Sequence, residues 1–173
     1  EVVVIDPVVY EDARGFLMEA WRASKFNEAG IDANFVQDVH SRSSQGAVRG
    51  LHYQVNQPQG KLIRVINGEI FDVAVDLRRS SPTFGNWVGE TLSAGNRKLL
   101  WIPPGFAHGF MVISEFADLE YRMTDYYAPE HERTIRWDDP EIAVDWPLKG
   151  GKPPLLSDKD LAGVLLKDAE TYA

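Results

Sequence analysis

Cysteine is absent from this 173-residue sequence, which excludes both a disulfide framework and a thiolate metal site. Positive charge is also scarce, because 18 lysines and arginines face 26 aspartates and glutamates, for a formal net charge of -8. A surface of that sign repels nucleic-acid backbones, so we expect no nucleic-acid partner. No apolar stretch approaches the roughly 20 residues of a membrane-spanning helix, so we expect no membrane partner either. A pocket for one small anion, lined by local arginines, stays possible.

The composition is that of an ordinary folded domain. Hydrophobic residues make up 44% of the chain and charged residues 25%, which is typical of globular rather than disordered proteins. A chain of this length buries about two thirds of its unfolded surface. We therefore predict a single domain over residues 1–173. Because nothing near the beginning reads as a signal peptide, we expect a cytoplasmic location.

Short strands separated by turns dominate the sequence pattern. Runs of β-branched and aromatic residues, bounded by Gly, Pro, Asn and Asp, predict the strands. The predicted strands are residues 2–5, 16–21, 35–38, 47–53, 62–66, 70–77, 86–92, 98–102, 109–113 and 118–126. The dipeptide Asn67-Gly68 predicts a tight hairpin, since both residues of such a turn need a positive φ. The pattern predicts a mainly β architecture that is closed or sandwiched.

Two short helices are predicted, one near each end of the chain. Residues 24–29 form one or two turns, with Ser24 as the N-cap and Gly30 as the stop. Residues 157–168 follow a pair of prolines, and their apolar side chains recur on one face. Ser157 is the predicted N-cap of this second helix.

Histidine is the side chain that titrates near neutral pH, and the sequence has four. His52 lies inside a predicted strand, where alternation places it on one face with Gln54 and opposite to Arg49. His108 follows a Pro-Gly turn. A hydrogen-bonded structural histidine is the alternative interpretation, but the strands carry more polar residues than packing requires. These polar strand residues are Lys61, Arg64, Asp72, Asp76, Glu120 and Tyr121.

A metal site is the first possibility to test. The Pro-Gly turn before His108 resembles the second motif of the cupin barrels, and His52 lies where their first motif would begin. A cupin metal site needs a His-x-His pair and a nearby glutamate, but Gln54 stands two residues after His52 and no glutamate follows closely. Two histidines leave a zinc, manganese or iron site short of protein ligands. We therefore predict a cupin-like jelly-roll barrel or sandwich without a metal, and a cupin metalloenzyme is the rival.

Acid–base catalysis is the chemistry that then remains. A histidine can remove a proton from a carbon beside a carbonyl, and a neighbouring carboxylate would fix its tautomer. A tyrosine can return a proton to the opposite face, and a lysine can stabilise the enolate oxygen between the two steps. The strands hold all three kinds of group. A second rival, a non-catalytic sugar-binding module, would not need this combination.

Ordered motifs run along almost the whole chain. They lie at residues 12–16 (DARGF), 35–38 (FVQD), 49–54 (RGLHYQ), 60–62 (GKL), 68–78 (GEIFDVAVDLR), 81–85 (SPTFG), 102–110 (IPPGFAHGF) and 156–160 (LSDKD). With these motifs in this order, the chain resembles the dTDP-4-dehydrorhamnose 3,5-epimerases, a family of cupin-like sugar-nucleotide epimerases in deoxysugar biosynthesis. Any one motif alone would be weak.

The resemblance implies a set of catalytic residues. His52 matches the general base, Asp160 its carboxylate partner, and Tyr121 the acid that reprotonates the opposite face. Lys61 and His108 match residues that contact the sugar and hold the developing enolate. The implied reaction inverts C3 and C5 of dTDP-4-dehydro-6-deoxy-D-glucose and gives dTDP-4-dehydro-L-rhamnose. It needs no cofactor, since no net electron transfer occurs. A relative that inverts C3 or C5 alone is the alternative.

The resemblance also implies a substrate-binding set and a shared site. Arg49 matches a residue at the substrate's phosphates, and Tyr127 matches the aromatic that stacks on thymine, with Tyr126 as the alternative. Further substrate-binding positions are matched by Arg14, Glu19, Gln37, Asp38, Glu132 and Lys159. The positions matched by Arg14 and Glu19 reach a neighbouring subunit's site in the family, so a homodimer is expected.

Structural roles compete with some of these assignments. Asp160 would equally suit the N-terminus of a helix, and Glu19 and Glu132 would suit an exposed surface. The family usually has asparagine after its Gln-Asp pair, whereas this chain has Val39. By alternation Val39 shares a face with Gln37, so the change either alters a sugar contact slightly or affects packing alone, and it leaves the acid–base set intact.

Overall fold

The computed structural model describes residues 1–148, 150 and 152–173, and strands dominate it. The strands are β1 (Val3–Ile5), β2 (Val9–Asp12), β3 (Gly15–Met18), β4 (Gln37–Ser44), β5 (Val48–Gln54), β6 (Lys61–Asn67), β7 (Glu69–Asp76), β8 (Trp87–Ser93), β9 (Leu99–Ile102), β10 (Phe106–Val112), β11 (Phe116–Met123) and β12 (Glu132–Thr134). Short α-helices lie at α1 (Ala23–Glu28) and α2 (Asp158–Leu161), and 3-10 turns at Pro129–His131 and Leu166–Asp168. No helix in these ranges combines the length and the apolar character that a membrane crossing requires.

The strands form two five-stranded sheets in which neighbouring strands are antiparallel. The first sheet has the order β1-β9-β6-β11-β4 and the second the order β12-β5-β10-β7-β8, while β2 and β3 form a separate hairpin. Most neighbours within a sheet come from distant parts of the chain, as in a jelly roll and unlike a meander. The predicted mainly β, sandwich-type architecture with short helices near its ends is confirmed.

Both sheets contribute to the apolar core between them. Ile63 and Leu119 of the first sheet join Ile70 and Phe110 of the second in one cluster of buried side chains. Burying a side chain of this size stabilises a fold by roughly 1.5–3 kcal/mol. Phe110 also lines the cavity described below, so the close-packed core supports one wall of that cavity.

The prediction of a tight hairpin at Asn67-Gly68 is wrong. The strands on either side of this dipeptide, β6 and β7, belong to different sheets, so the chain turns a corner from one sheet to the other. Gly68 has a φ of 81°, and a Cβ atom there would collide with the carbonyl oxygen of Phe116. The dipeptide therefore marks a turn as predicted, but the packing of each strand in its own sheet decides the pairing.

The C-terminal helix is shorter than the predicted range 157–168. Ser157 is its N-cap, as predicted. The helix ends at Leu161 because the chain beyond it pairs with a strand instead: the Val164 N–H donates to the Thr134 carbonyl at 3.0 Å. Tertiary hydrogen bonding thus overrides the helical periodicity of this segment.

Two predictions at the N-terminal side also need correction. Arg22, and not Ser24, occupies the N-cap of α1, and no side chain caps this helix. The strand predicted at residues 35–38 runs instead from Gln37 to Ser44, because all of β4 pairs with β11. Its polar sequence carries no apolar run that would have predicted this length. Strands β2 and β12 were not predicted either.

Candidate active site

A cavity of about 340 Å³ opens between the two sheets. The first sheet lines it with Gln37, Val39, Ser41, Lys61, Tyr121 and Met123. The second sheet supplies Arg49, His52, His108, Phe110 and Glu132, and Gln59, Tyr127 and Lys159 complete the wall. The structure therefore brings together most of the residues that the sequence predicted for the site.

His52 and Asp160 form a hydrogen-bonded pair at this cavity. His52 Nε2 lies 2.6 Å from Asp160 Oδ1. Burial lowers the pKa of His52 below its ordinary value, against the opposing effect of Asp160. Burial by itself would raise the pKa of Asp160, but hydrogen bonds from His52, Ser157 and the Gly50 amide lower it to about 2. An ionised Asp160 can only accept, so neutral His52 carries its proton on Nε2 and keeps Nδ1 free as a base.

The strand that carries His52 does not alternate as predicted. His108 pairs with His52 and Phe110 with Arg49, so three residues of β5 span the distance of two residues of β10. The extra residue in β5 forms a β-bulge, which turns the Arg49 side chain to the same face of the sheet as His52. Gly50 makes the bulge possible, because it has a φ of 133° and a Cβ there would lie 2.5 Å from Gly109 Cα. The predicted opposite faces for Arg49 and His52 are wrong.

Tyr121 approaches the cavity from the facing sheet. It lies on β11, whereas His52 lies on β5, so the two side chains line opposite walls. Burial raises the pKa of Tyr121 well above its ordinary value of 10. Its hydroxyl lies 3.0 Å from Ser41 Oγ. A neutral phenol on one wall thus faces a neutral imidazole on the other.

Lys61 and His108 complete the polar interior together with Asp72. Burial lowers the pKa of Lys61 to about 8, although Asp72 and Glu132 favour its charged form. His108 Nε2 lies 3.0 Å from both carboxylate oxygens of Asp72, which is fully buried. Burial raises the pKa of Asp72. The sequence marks Asp72 as a polar strand residue but indicates no role for it, because its pairing with His108 depends on strand register.

Four hydrogen-bonded residues form part of the cavity wall. The Tyr127 hydroxyl donates to Glu132 at 2.9 Å, and Lys159 Nζ donates to the other oxygen of Glu132 at 2.8 Å. The Tyr127 backbone N–H donates to the Gln37 side chain at 2.9 Å. Tyr127 lines the cavity, and Tyr126 is not among its lining residues within the described chain. This placement favours Tyr127 over Tyr126 as the aromatic platform.

Three predicted binding residues lie away from this cavity. Arg14 sits at the turn of the β2–β3 hairpin with 90% of its side chain exposed. Glu19 pairs with Arg22 and Lys25. Asp38 points to the opposite side of β4, where it lies 3.5 Å from the Arg122 side chain. Among the described residues, Arg14, Glu19 and Asp38 are therefore not part of the cavity wall.

Reasoning from sequence missed several of the lining residues. The sequence indicates no role for four of them, because polar or apolar type alone does not place a residue at a cavity. These four are Ser41, Gln59, Phe110 and Met123. Val39 does share its face with Gln37, as predicted, and it pairs with Tyr121 across the strands.

The arrangement suits proton transfer at carbon. Within residues 1–148, 150 and 152–173, no three His, Asp or Glu side chains are grouped closely enough to hold a metal ion. A base on one wall, an acid on the other and an ammonium group in the same cavity match the requirements for inverting a carbon beside a ketone.

Comparison with known proteins gives a consistent picture. The chain matches the family described as dTDP-4-dehydrorhamnose 3,5-epimerase over residues 1–168. It is 56% identical to the dTDP-4-dehydrorhamnose 3,5-epimerase of Pseudomonas aeruginosa, over 99% of this chain and 94% of that protein. The dTDP-6-deoxy-D-glucose-3,5-epimerase of Legionella pneumophila, solved in complex with dTDP-4-keto-L-rhamnose, has a TM-score of 0.94 and 52% identity, over 98% of this chain and 89% of that one. The corresponding enzyme of Bacillus anthracis, solved with TDP and PPi bound, has a TM-score of 0.92 and 41% identity, over 95% and 94% of the two chains.

Proposed function

Because this chain belongs to the dTDP-4-dehydrorhamnose 3,5-epimerase family, we propose that it inverts C3 and C5 of dTDP-4-dehydro-6-deoxy-D-glucose. The product is dTDP-4-dehydro-L-rhamnose, and the enzyme is an isomerase of dTDP-rhamnose biosynthesis. The observation that carries the proposal is the placement of the His52–Asp160 pair and of Tyr121 on opposite walls of one cavity.

The first step is removal of a proton by His52. The C4 ketone acidifies the protons on both neighbouring carbons, so a neutral imidazole is a strong enough base once the enolate is stabilised. His52 Nδ1 takes the proton, and the resulting imidazolium is stabilised by the ionised Asp160 on Nε2. Asp160 is thus both the partner that fixes the tautomer and the counter-charge.

The enolate is then held and reprotonated. Lys61 and His108 are the proposed donors to the enolate oxygen, where a fixed charge in a water-poor cavity is most effective. Tyr121 delivers its proton to the face opposite His52, which inverts the carbon. The same two steps at the second carbon complete the reaction.

The nucleotide serves as a handle for the sugar. Arg49, held by its Nε donation to Ser43 Oγ at 2.9 Å, is the proposed diphosphate ligand, since a guanidinium matches phosphate oxygens. Tyr127 is the proposed stacking partner of the thymine. Gln37, Glu132 and Lys159 are further proposed substrate contacts. Local cations at the cavity accommodate the dianionic diphosphate in a protein of net charge -8.

We propose a homodimer in which the β2–β3 hairpin reaches a second subunit. The hairpin exposes Phe16 and Leu17 to 57% and 68%, which a partner subunit would cover. Arg14 and Glu19 would then contribute to the partner's site, in agreement with their position outside the cavity of their own chain. Asp38, which lies on β4, stays a predicted substrate contact.

The cavity draws on residues from Gln37 to Asp160, which supports one epimerase domain over residues 1–173. The cytoplasmic location stays a prediction from the sequence.

The decisive experiment is incubation with the 4-keto sugar nucleotide in D₂O, followed by NMR of C3 and C5. A 3,5-epimerase introduces deuterium and inverts configuration at both carbons. Inversion at one carbon alone would identify a mono-epimerase. Binding without exchange would identify a sugar-binding module, and stoichiometric iron, manganese or zinc in the active protein would favour a metalloenzyme.

A further inference from the structure

Tyr121 must act twice if the proposed function is correct. One acid serves two inversions, and the first leaves Tyr121 as a phenolate and His52 as an imidazolium. Burial raises the pKa of Tyr121 well above its ordinary value, so a phenolate is costly in this cavity. The site therefore needs a route by which a proton returns to Tyr121 before the second inversion.

Ser41 is placed to supply that route. Its Oγ lies 3.0 Å from the Tyr121 hydroxyl, and a serine hydroxyl can donate and accept at the same time. Ser41 lies on β4, whose only partner among the described strands is β11, so it stands at the edge of the first sheet. Its side chain is half-buried, whereas Ser43 on the same face of the strand is buried and holds Arg49.

The other neighbours of Tyr121 are less suited to this task. Phe110 and Val39 carry no exchangeable proton. The ring of His108 lies 6.2 Å from that of Tyr121, and its Nε2 is bonded to Asp72. The Arg49 guanidinium does not release a proton in proteins. Ser41 is the hydroxyl that both contacts Tyr121 and lies near solvent.

We propose that Ser41 is a proton relay that reloads Tyr121 between the two inversions. When Tyr121 has protonated the carbon, the Ser41 O–H bond breaks as the Tyr121 O–H bond re-forms. In the same movement Ser41 takes a proton from a water molecule, so no serine alkoxide accumulates. The proton that His52 removed from the carbon returns to solvent and neutralises the hydroxide, so protons balance over each inversion. Ser41 acts through Tyr121 and is a positioning residue, not a group that touches the reacting carbon.

The test is a single-turnover experiment with enzyme in excess over the 4-keto sugar nucleotide. Quenched samples are followed by NMR, which resolves the singly and the doubly inverted sugar. Three variants are compared with the wild type: Ser41→Ala, Ser41→Thr, which keeps the hydroxyl, and Ser44→Ala. Ser44 is an exposed residue of the same strand and serves as the matched control.

In Ser41→Ala, the first inversion should proceed at nearly the wild-type rate, because Tyr121 begins each turnover protonated. The second inversion should slow by roughly a hundredfold, at the low end of the effect of losing a proton-transfer group. The singly inverted sugar should accumulate and dissociate. Ser41→Thr should restore the second rate, and Ser44→Ala should change neither.

A merely structural role for Ser41 predicts a different result, since a displaced Tyr121 would slow both inversions equally. Equal slowing, or an unchanged ratio of the two rates, would overturn the relay. Failure of the wild type to invert either carbon would instead refute the proposed function, so the two failures are distinguishable.

Discussion

Lys61 offers a pH test of the enolate-stabilising step. Burial lowers its pKa to about 8 from an ordinary 10.5. If the ammonium form holds the enolate, activity follows the protonated fraction and falls as the pH rises through 8. A group with this pKa is about 90% protonated at pH 7 and about 10% protonated at pH 9, so kcat/KM should fall roughly tenfold between them.

The proposed acid and the proposed base titrate outside this interval. The pKa of Tyr121 lies well above 10, so its loss of a proton does not contribute near pH 8. The pKa of His52 is lowered by burial, and this proposed base acts in its neutral form. The fall of kcat/KM on the acid side therefore lies below pH 6.5, and we assign the fall on the alkaline side to Lys61.

Lys61→Arg should remove this alkaline limb up to about pH 10, because a guanidinium stays protonated there. Its maximal rate should be lower, since the planar guanidinium does not reproduce the position of a lysine ammonium. Lys61→Met should be slow at every pH. The measurement is kcat/KM from pH 6 to 10 by NMR of the sugar, with Lys167→Arg, an exposed residue, as the control. An alkaline limb that persists unchanged in Lys61→Arg, or a Lys61→Met enzyme with wild-type activity, would refute the reasoning.

Three further predictions address the base, the acid and the assembly. His52→Ala should lower turnover by roughly two to four orders of magnitude while the fold stays intact; a near-normal rate would remove His52 from the mechanism. Tyr121→Phe should exchange solvent deuterium into C3 or C5 with retention faster than it epimerises, whereas His52→Asn should do neither. Loss of exchange and epimerisation together in Tyr121→Phe would contradict the two-sided mechanism. Light scattering should give the mass of a dimer, and Arg14→Ala should raise KM; a fully active monomer would disprove the shared site.

The sequence predicted the fold class and most of the cavity because both depend on local signals. Turn dipeptides divide the chain into short strands, and polar residues inside those strands mark the groups that packing does not require. What it could not predict depends on contacts between distant residues. The bulge that turns Arg49 toward His52 arises from the close approach of Gly50 to Gly109. Likewise, β4 is a strand because it pairs with β11. Its polar sequence contains no apolar run that would predict a strand of this length.

Asp160 shows how a local signal and a functional one can coincide. From sequence, a helix-capping charge and a partner for His52 were competing interpretations, yet the carboxylate performs both roles. Oδ2 accepts the Ser157 hydroxyl at 2.6 Å, while Oδ1 lies 2.6 Å from His52 Nε2 and accepts the Gly50 N–H at 3.2 Å.

This division of partners fixes the carboxylate in orientation. Because each oxygen has its own donors, rotation of the side chain would break bonds on both sides. An N-cap residue ordinarily contributes about 1 kcal/mol to the stability of a helix. In α2 the capping box of Ser157 and Asp160 also positions the proposed counter-charge of His52. A helix of a single turn is long enough for this purpose, since Asp160 lies in that turn and Ser157 is its N-cap. The early end of α2 at Leu161 therefore costs the site nothing.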